Sequence, residues 1–97
     1  MRVNLDTRHF TKAERRFAEL LKKHHVPFKA KVKLFEREVD FLIQEKTVVE
    51  IGDHPQDPAK NKALLAAGYS VIQLTNKELR ESFSLVERHL LTNWIRV

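Results

Sequence analysis

The chain contains no cysteine, only two glycines and three prolines in 97 residues, and no long apolar run. Without cysteine it can have neither disulfides nor thiolate-bound zinc, which fits a reducing, cytoplasmic setting. So few glycines and prolines leave little room for long loops or linkers, and neither an internal repeat nor a low-complexity tract is present. A bilayer-spanning helix needs roughly 20 apolar residues, which no segment supplies, and an amino terminus carrying Asp6 and His9 lacks the apolar centre of a signal peptide. The expectation is a soluble cytoplasmic protein that makes no use of a membrane, built as a single domain over residues 1–97 around one modest core.

What the chain does have is an uneven charge. The formal total is +5, but residues 1–37 hold 11 Lys/Arg against 4 Asp/Glu, whereas residues 38–97 hold 7 against 9. A basic half joined to an acidic half suits a polyanion partner held beside a cluster of acids; a merely solvated basic face is the alternative.

Thr11-x-x-Glu14 is a capping box, followed by Ala13, Phe17, Leu20 and Leu21 at helical spacing up to the Val26-Pro27 break. From Phe28 the period becomes two. Ala30, Val32 and Leu34 alternate with Lys29, Lys31 and Lys33; Val39, Phe41 and Ile43 follow, and Thr47-Val48-Val49-Glu50-Ile51 predicts a third strand. Asp57-Pro58 starts a second helix, Gly68 ends it, and residues 70–75 predict a fourth strand. Asn76 is a candidate cap for the last segment, where Phe83, Val86, Leu90 and Trp94 mark an amphipathic helix. The order is α-β-β-β-α-β-α, an α/β chain in which the first three strands form a meander.

Turn lengths set a register. A three-residue loop at 44–46 puts Asp40 opposite Glu50, and a two-residue turn of Glu36 and Arg37 puts Lys33 opposite Asp40 and Val32 opposite Phe41. Two carboxylates facing each other across strands cost some tenths to about 1 kcal/mol, so something must compensate. A divalent cation with oxygen ligands would do so, and a salt-bridge row through Lys33 is the alternative.

Glu14 in a first helix, Asp40 in Val-Asp-Phe, Val-Val-Glu50-Ile, the Asp57-x-x-Lys60 helix running to Gly68-Tyr69, and Leu74-Thr75-Asn76-x-Glu78-Leu79 resemble one family over about residues 10–80. They look like the small endonuclease-like domains related to very-short-patch mismatch repair (Vsr-like) endonucleases, in the PD-(D/E)xK superfamily. The resemblance implies a restriction-endonuclease-like α-β-β-β-α-β core, with a mixed central sheet flanked by helices and a C-terminal helix added. It also implies metal-dependent hydrolysis of DNA phosphodiester bonds, of repair or restriction type. In that reading Asp40, Glu50 and the Ile51 carbonyl hold Mg²⁺ or Mn²⁺, and Glu14 points to the same site, although the capping box explains it equally well.

The superfamily lysine two residues after the second acid is replaced here by Gly52. Lys33, Lys60 and Lys62 are the candidates to substitute, Lys60 first, because the related domains tend to carry Arg at its position. His54 is a candidate general base or extra ligand. Lys29, Lys31, Lys33, Arg15 and Lys62, with Arg16, Lys22 and Lys23, are candidate phosphate contacts to DNA, and the last helix could pair two copies into a homodimer. A DNA-binding domain of this fold without turnover, or a structural subunit, are the other functions open to such a chain.

Overall fold

A computed structural model describes residues 10–53 and 57–95, so His54 lies outside the described residues. The elements are α1 (Lys12–Lys23), β1 (Phe28–Leu34), β2 (Arg37–Ile43), β3 (Thr47–Ile51), α2 (Pro58–Ala66), β4 (Ser70–Leu74), α3 (Asn76–Glu81) and α4 (Phe83–His89), with a π-helical turn at Leu90–Trp94. The strands lie in the order β1-β2-β3-β4. The first three are antiparallel meander neighbours, and β4 returns parallel to β3 after the α2 crossover. This is a mixed four-stranded sheet flanked by helices, consistent with a restriction-endonuclease-like fold.

Local chemistry explains most boundaries. Thr11 and Glu14 close the capping box at the start of α1. Asp57 caps α2 ahead of Pro58. At the other end of α2, Gly68 (φ +95°) lets its own N–H reach the Leu65 carbonyl and that of Tyr69 reach Leu64, a Schellman closure. The cap of α3 differs from expectation. Thr75, not Asn76, takes that position, because Thr75 and Glu78 form a second capping box that satisfies two backbone donors where Asn76 could satisfy one.

Two apolar layers sandwich the sheet. On one side Phe17, Leu20 and Leu21 of α1 and Leu79, Val86 and Leu90 of the C-terminal helices cover Phe41, Ile43, Val49 and Ile51. On the other, Leu64 of α2 covers Val39, Leu42 and Val48. Phe83 and Trp94 pack against the first layer, so the apolar face offered by sequence for pairing two copies is used within the chain. Every residue of β3 is buried, as suits an interior strand held between β2 and β4. Among the described residues no helix is long and apolar enough to cross a membrane.

The register differs from expectation in one hairpin. Phe41 pairs with Val49 and Ile43 with Thr47, as the loop at 44–46 requires. In the first hairpin Leu34 pairs with Arg37 and Lys33 with Glu38, so the turn is Phe35-Glu36 and Lys31, not Lys33, comes level with Asp40; Val32 meets Val39, and Ala30 meets Phe41. Both turn residues have positive φ (53° and 65°), the hand of two-residue turn that matches strand twist. A slip of two residues preserves side-chain alternation, so the apolar pattern could not distinguish the two registers.

The same hairpin changes sides of the sheet part-way along. Phe28, Ala30, Phe41 and Ile43 join the α1 layer, while Val32, Leu34 and Val39 join the α2 layer. Strict alternation forbids this unless the strands rotate between them. The rotation falls at Lys31 (φ 52°) and Asp40, the one row missing from the β1–β2 ladder.

Candidate active site

Where the hairpin rotates, backbone groups leave the ladder and side chains take their place. The Asp40 N–H donates to Glu50 Oε2 at 3.2 Å, and the Ile51 N–H donates to Asp40 Oδ2 at 2.8 Å. Each acid thus holds the opposite strand's backbone, so Asp40 and Glu50 are fixed together although regular pairing stops at Phe41 and Val49. Polar groups collect here because the row belongs to neither apolar layer.

Two lysines balance the acids. The Lys31 ammonium donates to Glu14 Oε2 at 2.8 Å and to Asp40 Oδ1 at 3.3 Å. Burial pulls the Lys31 pKa down, but the Glu14 and Asp40 carboxylates outweigh it and the net direction is upward. Lys60, from α2, donates to the Glu38 carbonyl at 2.7 Å and forms an ion pair with Glu50 Oε1. That oxygen is fully buried, and the Lys60 ammonium is the charge set against it. Burial pushes the Glu50 carboxyl above its usual 4.5; Asp40 adds to the rise and Lys60 opposes it.

Glu14 serves both the helix and the site. Its Oε1 accepts the Thr11 N–H at 2.8 Å to close the capping box, while Oε2 accepts from Lys31. It lies one turn before Phe17, whose ring packs edge-on to Phe41 at 5.2 Å. That contact seats α1 beside Asp40, and the i, i+3 spacing puts Glu14 on the same face of the helix.

The remaining sequence candidates are dispersed. Lys29 pairs with Glu45 at 2.7 Å at the surface. Lys33 is exposed across from Glu38, and because of the rotation it lies on the opposite side of the hairpin from Lys29. The single lysine face expected on this strand therefore does not form. Arg15 and Lys62 are exposed on α1 and α2, which cover opposite sides of the sheet. Asp53 is engaged by the N–H and side-chain amide of Asn76 at 3.2 and 3.4 Å. The role sequence reasoning missed is that of Lys31 as bridge; its strand position was visible, but its alignment depended on the turn.

A search of the solved structures matches the catalytic domain of homing endonuclease I-Bth0305I, with a TM-score of 0.73 and 20% identity over 87% of this chain and 94% of that one. The fold is nuclease-like. No protein-family model and no curated protein matches the chain. At this identity the likeness concerns the fold, so the chemistry has to be argued from the residues gathered at the hairpin rotation.

Among the described residues no three His, Cys, Asp or Glu side chains converge as a ready-made metal cluster. The donor set that is present fits a hard divalent cation: two adjacent carboxylates, with the buried Glu50 Oε1 set against an ammonium that a cation could replace. Mg²⁺ commonly takes one or two carboxylates and completes its shell with waters and substrate phosphate.

Proposed function

We propose that this chain is a metal-dependent nuclease domain that hydrolyses DNA phosphodiester bonds at Asp40 and Glu50. The observation that carries the reading is the reciprocal anchoring of these acids on each other's strand, which holds two like charges together at the break in a nuclease-like sheet. Asp40, Glu50 and the Ile51 carbonyl would hold Mg²⁺ or Mn²⁺, whose chemistry when bound is to polarise a phosphoryl oxygen and acidify a water.

The chain's own groups do the rest. Lys60 supplies, from α2, the positive charge that Gly52 cannot, and it can stabilise negative charge on the attacked phosphate. Lys31 holds Asp40 in place, and Glu14 fixes Lys31. The basic segment before residue 38 supplies attraction for the DNA backbone, which positions a strand without reading its sequence. The same ion pairs favour a second reading, a DNA-binding domain without turnover, because both acids already have lysine partners.

Crystals soaked in Mn²⁺ test the metal site, and a cleavage assay separates the two readings. Anomalous density between Asp40 and Glu50, with Lys60 displaced from Oε1, is the expected result. No density there, with both lysines unmoved, would sink the metal site.

A further inference from the structure

Between α1 and α3 lies a cleft that the proposed chemistry does not use. Lys12 and Arg16 on α1 and Arg80 on α3 surround a space of about 350 Å³ floored by Leu79. No ion pair of Lys12 or Arg16 occurs among the described residues. The Arg16 guanidinium sits 4.8 Å above the Phe83 ring, which limits its freedom before any ligand arrives. Among the described residues Arg80 pairs with its neighbour Glu81, at 3.2 Å and with both side chains more than half exposed, a contact worth little and easily exchanged.

Both walls of this cleft are tied to the acids. On the α1 side Thr11 lines the cleft and its N–H donates to Glu14, which reaches Asp40 through Lys31. On the α3 side Asn76 lines the cleft and holds Asp53, two residues past Ile51. We infer that the cleft between α1 and α3 is a phosphate-binding subsite, in which Lys12, Arg16 and Arg80 hold the backbone of the nucleic-acid strand next to the phosphate that Asp40 and Glu50 attack. The inference rests on the proposed nuclease reading for the identity of the strand. It assigns the strand's path to this side of α1, not along the lysines of β1.

The test is fluorescence anisotropy with labelled single-stranded and duplex DNA in EDTA, on the full chain and on Lys12→Gln/Arg16→Gln/Arg80→Gln. Glutamine keeps part of each aliphatic stem but takes the guanidinium off the Phe83 ring, so the melting temperature of each variant is measured alongside. Lys77→Gln, on the same helix but not lining the cleft, is the control for net charge. The triple variant is expected to bind about tenfold or more weakly, with a log affinity against log salt slope shallower by roughly 2 to 3, about one for each phosphate no longer neutralised. The control should change less than about twofold.

Equal, small losses per charge at all four positions would overturn the subsite. If Arg16→Gln lowers the melting temperature, the Lys12→Gln/Arg80→Gln pair carries the same comparison. Cleavage is scored separately with Mg²⁺. Cleft-dependent binding without wild-type cleavage would refute the nuclease reading and leave the subsite standing, whereas cleavage with cleft-independent binding would refute the subsite alone.

Discussion

Lys60 reaches from α2 to place its ammonium against the buried Oε1 of Glu50 while donating to the Glu38 carbonyl at 2.7 Å. The resemblance to PD-(D/E)xK domains would put a lysine two residues after Glu50, a place occupied here by Gly52. In the proposed nuclease reading, a charge delivered from the following helix would serve the same spot. Lys60→Met should lower kcat by roughly 10²-fold with little change in KM, the scale of removing one preorganised charge from a phosphate. In EDTA it should also cost about 1–3 kcal/mol, less than for a fully buried pair because the lysine side chain is 19% exposed. Unchanged kcat would remove Lys60 from the chemistry.

Glu50 should behave as a destabilising charge when no cation is bound. Its folded-state pKa lies above the ordinary 4.5, so the native state holds the proton more tightly than the unfolded chain does. Stability contributed by this group is present at and below pH 4.5 and declines as pH rises through the folded-state value. In EDTA at pH 7, Glu50→Gln should raise stability by some tenths to about 1 kcal/mol and flatten that decline. Denaturant melts across pH check both, and a loss of stability at pH 7 would mean that the Lys60 ion pair outweighs burial.

The two oxygens of Glu14 can be tested apart. Glutamine still completes a capping box, so Glu14→Gln should leave stability within about 0.5 kcal/mol, while Glu14→Ala should cost about 0.5–2 kcal/mol. If the Lys31 contact matters to catalysis, both variants should lose cleavage to a similar extent. Full activity in Glu14→Gln would confine the residue to the helix cap.

These residues also mark what could be read in the sequence and what could not. The loop at 44–46 aligned Asp40 with Glu50 because a three-residue connection leaves one register for the Phe41–Val49 pair. The first hairpin failed because Phe35-Glu36 carries no Asn or Gly to announce positive φ, and the two-residue slip kept all apolar alternation intact. Lys31 thus replaced Lys33 as Asp40's neighbour. Nor could alternation reveal the rotation at Lys31 and Asp40, since a periodic pattern assumes a strand that keeps its faces. The Thr75 capping box stands in the sequence as Thr75-x-x-Glu78, with Asn76, itself a residue that favours caps, directly after it. The cleft at α1 and α3 was not visible at all, because Lys12, Arg16 and Arg80 meet only through tertiary packing.

Cleavage by purified protein tests the account most directly. Duplex, single-stranded, mismatched and branched DNA would be incubated with Mg²⁺ or Mn²⁺, with EDTA and Asp40→Ala as controls. The account predicts metal-dependent strand scission of at least one of these substrates, abolished by EDTA and by Asp40→Ala. No scission of any of them in either metal, or scission that survives Asp40→Ala, would contradict it.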